Sequence, residues 1–578
     1  MTMPFVPAST HSTYPAAGVR PARRAGGGRA AAPTRRPGGM RAAGCLIALA
    51  LVLAGFASPL AAQAGVPEEL RTHAERSGWT ELTPHDEVLG FYRALARHAP
   101  DEVRLRSIGT SREGRELLAV TISRPGVSGP SDPHVRGRPI VFIGAQVHGN
   151  EQAGKEGLML FARDLAVGAS ADLLEHAVFV LVPQINPDAG EAGTWGTRTN
   201  PAGYNVNRDY SRLVNPESRA VVEQVLNPWQ PHVTVDAHEL TGAHYYDFFA
   251  LHPSTLYTPT AVREMAAGPA TEAVRSAIEG AGYTYFPYHL LPSDPTLIPE
   301  EGISGAGYGI RILRNYGGAR GAVSLLYESR RDEDARLRLE ERARWQRIAM
   351  EGLSRWVAEN AADVVAAVEE GRAEMARLGA RWDPADSIVV RTRLEVSGTV
   401  AYRSPEMRAL PDGSGFEPTG RILDLEVPFR DRIVPVVARI RPVGYLIEAH
   451  RGDLAEALLR HGLEVERIEG PLETSVESFR VDSIAVASST AEGYYERSVW
   501  TTTEVRTLSL PRGGYLVRAT QPMAGVAFAL LEPEDVDSFA SEGAFAAEKS
   551  VGGTLPVHRL RELPRAAGVL LPAPGGGR

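Results

Sequence analysis

Four short apolar runs constrain the fold of this chain more than any other feature. They are "IVFIGAQV" (residues 140–147), "AVFVLVPQI" (177–185), "HVTVDA" (232–237) and "AVSLLY" (322–327). Each is rich in β-branched residues and has the length of a strand buried on both faces. Stretches with helical spacing of apolar residues separate several of them, through Leu158, Phe161 and Leu165 and again through Val221, Val222 and Val225. Strands alternating with helices predict an α/β fold, with a mostly parallel or mixed central sheet flanked by helices.

The residues just beyond each run carry chemistry. His148 and Glu151 come after the first, Asn186–Asp188 after the second, His238 after the third and Glu328 after the fourth. In open α/β sheets ligands bind beyond the carboxyl ends of strands, so four distant segments are expected to meet on one edge. His148 and Glu151 alone are a weak signal, equally a polar turn; their companions change the weighing. Two imidazoles and one carboxylate (His148, Glu151, His238) make the three-ligand set of a catalytic zinc site with one open position. Glu328 is a candidate general base for water, and Arg198, in "WGTRTN", a candidate partner for a developing oxyanion.

These residues resemble the zinc carboxypeptidases of the carboxypeptidase A type. The resemblance covers residues from about 80 to 330 and rests on "GTSREGREL", "HGNE", "NPD", the arginine of "GTRTN", "NVNRDY", "DAHE" and "SLLYES", in that order. It implies a zinc carboxypeptidase-like fold, with one Zn2+ held by His148, Glu151 and His238. It implies that Arg198 polarises the scissile carbonyl, that Glu328 is the base toward a zinc-bound water, and that Asn207 and Arg208 hold the substrate's terminal carboxylate. A guanidinium suits that last task because it meets a carboxylate at two points.

Two departures qualify the resemblance. Asn205 stands where the family usually has an Asp supporting a zinc-ligand histidine; Asp236 is a candidate substitute, since strand residues two apart share a face. The substrate-capping tyrosine is Tyr308 or Tyr316, with Tyr308 preferred on its distance from Glu328. The spacing from His148 to His238 is nearer to acyl-amino-acid deacylases than to digestive carboxypeptidases. The pocket is expected around "GIRILRNYGG", which offers Ile310 and Leu313 beside Arg311 and Arg314.

The rest of the chain bounds this picture. Its 578 residues are 43% hydrophobic and 23% charged with a formal net charge of -8, an ordinary soluble composition with no basic stripe for nucleic acid. "MRAAGCLIALALVLAGFASPLAAQAG" reads as a secretory signal peptide cleaved after Ala64, with Met40 as the expected start and no stable membrane span afterwards. Cys45, the only cysteine, falls inside it, so thiolate chemistry and disulfides are excluded from the mature chain. Thr83 is a candidate helix N-cap, and "RRDEDARLRLEERAR" is expected to be a solvated helix face. Beyond "WDPAD" the chain turns β-rich. The expected divisions are 1–64 for the extension and signal peptide, 65–380 for the catalytic domain, 384–565 for the accessory region and 566–578 for a disordered tail.

The expected function is an exported metallocarboxypeptidase, secreted or periplasmic, acting on a peptide with a free carboxylate. Alternatives are a cell-wall peptide amidase, an N-acyl amino acid deacylase, or, in another class, a binding protein that has lost catalysis.

Overall fold

The computed structural model describes residues 65–573 except 254–255, 333, 491, 511–512, 546–549 and 565–567. The expected leader with Cys45, and residues 574–578, lie outside the described residues. Residues 65–71, with a single turn at Glu68–Leu70, fall in a unit apart from the one that holds residues 72–578.

The four apolar runs become β3 (Ile140–Ala145), β4 (Val178–Val182), β5 (Val233–Thr241) and β9 (Val323–Arg331). They lie side by side and parallel in the order β4-β3-β5-β9. An antiparallel hairpin, β1 (Val103–Thr110) and β2 (Glu116–Ile122), extends one edge. β6 (Phe249–Pro253) and β7 (Tyr285–Pro287) extend the other, completing a mixed eight-stranded sheet. The continuous apolar reading of these strands follows from helices on both faces. On one face the helix Ala153–Val167 packs Phe161 edge-on against Phe179 of β4, and the helix Leu339–Glu359 accepts the Tyr327 hydroxyl at Ala349 O. On the other, the helix Leu313–Ala319 lays Gly317 against Thr234 and Ser324. By the alternation of side chains along a strand, Asp236, His238, Leu326 and Glu328 share this second face.

The helix Leu339–Glu359 departs from its expected solvated character. Arg342 has no exposed side-chain surface and pairs at 2.6 Å with Glu239, equally buried. Gln346 donates to His238 O at 2.8 Å. The charge pattern marks the outer face of this helix but not the two polar side chains that brace β5. Thr83 is likewise not the cap: the first long helix is His85–His98, preceded by Pro84, while Thr83 bonds the buried Glu156 through both its N–H and its hydroxyl.

Beyond residue 384 the chain is β-rich. β10 (Ser387–Ala409) and β11 (Phe416–Ile440) form a long antiparallel hairpin that meets β8 (Ile303–Ser304). A seven-stranded antiparallel sheet comes next, formed by β12 (Gly444–Ile447), β13 (Glu466–Ile468), β14 (Leu472–Val486), β15 (Arg497–Leu510), β16 (Tyr515–Arg518), β17 (Thr554–Leu560) and β18 (Gly568–Leu570). β18 corrects the expectation of a disordered tail from 566: Gly568–Leu570 pair with β13. One apolar cluster runs from Phe142 and Val180 through Tyr316 to Phe528 and Leu555, so the two sheets share a core. Polar contacts cross the same seam, among them Ser211 Oγ to Glu542 at 2.7 Å and Asn205 N–H to Glu492 at 2.6 Å.

Candidate active site

The loop after β3 is built around Gln146, whose φ of 52° is rare for a side-chain-bearing residue. Its buried amide holds it there, donating to Gly149 O at 3.1 Å and Gln152 Oε1 at 2.7 Å and accepting from Gln184 at 2.8 Å. Gly149 has to be glycine, because a Cβ would run into the backbone of Ala189 and Gly190. Asn186 ties the loop from behind by donating to Val147 O at 3.1 Å. Asp188 accepts from Ser111 and from the Glu113 N–H, and pairs with Arg115. "NPD" and "GTSREGREL" therefore act together as scaffold for the loop that presents His148 and Glu151.

His238 arrives from β5. The donor atoms of His148, Glu151 and His238 all lie within 4.8 Å of one another, and all three residues are buried. The two Nδ1 atoms face each other at 3.1 Å, with Glu151 2.9 Å from His148 Nδ1 and 2.7 Å from His238 Nδ1. Behind the rings, His148 Nε2 meets Asn205 Oδ1 at 2.9 Å and His238 Nε2 meets Asp236 Oδ1 at 2.7 Å. Asn205 Oδ1 and Asp236 Oδ1 can each accept an Nε2 proton, with Asn207 Nδ2 also 2.9 Å from His238 Nε2, so both Nδ1 atoms converge with a carboxylate and are placed to serve as ligands. That donor set fits one zinc ion. Both supports foreseen in the sequence are present, Asn205 behind one ring and Asp236 behind the other.

The electrostatics agree. Burial lowers His148 to about 4. Burial also acts to lower His238, but the carboxylates of Asp236 and Glu151 outweigh it and raise this histidine to about 10. Burial opposes ionisation of Glu151, yet the two rings hold it well below the usual carboxylate range. A centre that retains a proton this firmly favours positive charge, and a metal that binds there displaces that proton.

Glu328 stands on β9 in register with His238. Burial raises it to about 8, with Glu151 and Asp236 adding to the rise and His238 and Arg198 opposing it. Arg198 has half of its side chain exposed and reaches Glu151 at 3.1 Å. Asn207 is tied at both ends of its amide: Oδ1 accepts from Leu313 N–H at 3.0 Å and Nδ2 donates to Asp236 at 3.2 Å. Arg208 donates to Asn207 O at 2.9 Å.

Tyr308 does not join this group. It is 3% exposed, and its hydroxyl donates to Thr392 O at 3.1 Å, on β10. Tyr316 is also turned away, bonding His461 at 2.9 Å. Tyr288, directly after β7, lines both chambers of the cleft, and Tyr245 lines the wider one; neither was singled out in the sequence, and no spacing rule ties them to Glu328. Distance along the chain misleads here because β10 draws the Tyr308 side chain to its own side.

The cleft has two chambers that share His148, Arg198, Tyr288, Leu290 and Glu328. The narrower, of about 170 Å3, is lined by Asn207, Arg208, Leu326, the loop residues Gly307, Gly309, Arg311, Ile312 and Arg314, and by Val536 from the β-rich part. The wider, of about 500 Å3, lies toward Thr241, Tyr245 and residues 290–293.

A buried cluster of two histidines and a glutamate that could hold a metal ion, with a second carboxylate and guanidinium groups in the same cleft, has the chemistry of a metal-dependent hydrolase. Residues 88–250 match the model of the zinc carboxypeptidase family. The chain is 27% identical over 502 residues to carboxypeptidase 2 of Trichophyton rubrum, covering 84% of this chain and 88% of that protein. A stretch of 147 residues is 32% identical to carboxypeptidase D of Homo sapiens, covering 24% of this chain and 10% of that protein. Among solved structures, a carboxypeptidase A from Helicoverpa armigera aligns over 54% of this chain and 81% of its own, with 15% identity and a TM-score of 0.39. Residues 88–250 thus carry a zinc carboxypeptidase domain, and with the buried His-Glu-His cluster the chain is a zinc metallocarboxypeptidase.

Proposed function

We propose that this enzyme removes single residues from the free C-terminus of peptides. His148, Glu151 and His238 hold zinc, Glu328 is the general base, and Arg198, Asn207 and Arg208 grip the substrate. Arg208 carries the reading. Among the described residues no carboxylate lies within ion-pair distance of its guanidinium, which sits in the narrow chamber. Burial first, then repulsion from Arg198 and Arg311, lowers it to about 10. An anion placed beside it relieves both effects, and a terminal carboxylate is an anion that a guanidinium meets at two points.

Zinc supplies Lewis acidity when bound, acidifying water and polarising a carbonyl. Glu328 takes the water's proton on a carboxylate oxygen and returns it to the departing amine. Arg198, solvent-exposed enough to leave Glu151, meets the carbonyl oxygen as negative charge builds on it. Tyr288, where the chambers join, covers the terminal residue in the role expected of Tyr308. The peptide chain preceding the scissile bond occupies the wider chamber.

The same reading includes export directed by residues 40–64, to the periplasm or the medium, and a catalytic part, 65–380, that is followed by an accessory part, 384–565.

Peptides with free and amidated C-termini, incubated with zinc-loaded protein and weighed by mass spectrometry, test the reading. Loss of one residue from the free acid alone is the expected result. Equal cleavage of the amide removes Arg208 from its role, and cleavage of N-acyl amino acids without peptides transfers the enzyme to the deacylase alternative.

A further inference from the structure

The narrow chamber is not closed by the catalytic part alone. Val536 lines it together with Asn207 and Arg208, although it lies more than two hundred residues beyond Glu328 in the β-rich part. Its neighbours Asp535 and Asp537 are buried, while Val536 itself is half-buried and faces the cleft.

The turn that presents Val536 is fixed from several sides. Asp537 accepts the Arg311 backbone N–H at 2.9 Å and pairs with the Arg311 guanidinium, which also pairs with Glu496. Arg311 Nη2 donates to Val536 O at 2.6 Å. Asp535 accepts from the Tyr257 hydroxyl at 2.7 Å and from the Asp537 N–H at 2.8 Å. The approach is so close that a Cβ on Gly309 would collide with the Asp537 carboxylate. With its backbone held by a buried ion pair and its flanking carboxylates engaged, the valine cannot retreat from an incoming group. A chamber of about 170 Å3 is small against ordinary ligand pockets of roughly 300–1,000 Å3 and has room for one side chain.

We propose that Val536 is a specificity-determining residue: its isopropyl group sets the size of terminal side chain the narrow chamber admits, so the β-rich part helps to choose the substrate. This rests on the reading above that the narrow chamber takes the terminal residue. Apolar contact in such a pocket discriminates by roughly tenfold to two hundredfold per methylene.

The test compares kcat/KM for two peptides identical except for a terminal Ala or a terminal Phe. Val536→Ala is expected to raise the Phe-to-Ala ratio by about tenfold or more, and Val536→Leu to lower it, by the same per-methylene scale. The thermal midpoint and zinc content should stay at wild-type values in both. The metal-free protein should show the same reversal in its affinity for N-acetylphenylalanine against N-acetylalanine. Ratios unmoved in both variants, with the wild type active on both peptides, overturn this proposal and leave the carboxypeptidase reading intact. Failure of the wild type to cleave either peptide overturns both.

Discussion

The Arg342 guanidinium meets Glu239 Oε1 at 2.6 Å with neither side chain exposed, one residue along β5 from His238. Glu239 also accepts the N–H of Ala153, at the start of the helix just after Glu151. One buried ion pair therefore braces both segments that deliver the metal ligands. Replacing Arg342 by Met strands a buried carboxylate, and the expected cost is about 3–5 kcal/mol of stability. Denaturant unfolding measures it. Glu239→Gln in the same chain should recover part of the loss; no recovery would mean that packing, not charge, accounts for the effect.

Asp236 Oδ1 can accept the Nε2 proton of His238, which leaves Nδ1 for zinc. Asp236→Asn keeps the shape and removes the charge. Zinc affinity, read by chelator competition, is expected to fall by about tenfold to a hundredfold. An unchanged affinity would show that Asn205 behind the other ring suffices alone.

Arg198→Ala should leave zinc content unchanged and lower kcat by roughly a hundredfold to a thousandfold, the usual effect of losing an oxyanion donor. A near-normal rate excludes Arg198 from that role. Glu328→Gln should abolish turnover with one zinc retained per chain; loss of the metal in that variant would make Glu328 a ligand.

Glu542 gives the seam between the two sheets a pH dependence. Burial raises it to about 8, against the opposing pull of its bond from Ser211 and of nearby Arg212. An unfolded glutamate titrates near about 4.3. The folded state therefore binds the proton more tightly, and the stability this confers is complete below about pH 4.3 and lost as pH rises toward 8. Glu542→Gln removes the titration. Over that interval the wild type should lose stability relative to the variant by up to about 1.4 kcal/mol per pH unit. Parallel unfolding curves for the two proteins across the range would assign the pH dependence elsewhere.

The sheet was legible because burial on both faces leaves an unmistakable trace: four β-branched runs, each ending in a residue that cannot be idle. The meeting of His148, Glu151, His238 and Glu328 follows from that placement, since a strand end fixes where the next side chain points. Asp236 was legible for the same reason, being two residues from His238. Tyr288, Val536 and Arg342 were not. The first two come from loops whose path is set by contacts with other segments, and no local period announces them. Arg342 sits in a run of charges that resembles a wet surface until Glu239 is placed behind it. Tyr308 was misjudged because separation along the chain says nothing of which neighbour, the cleft or Thr392, takes the hydroxyl.

The turn that carries Val536 leaves the ribosome after every ligand and every catalytic group. Because that turn and the catalytic sheet share one core, the narrow chamber gains its far wall only once the β-rich part has folded onto the rest.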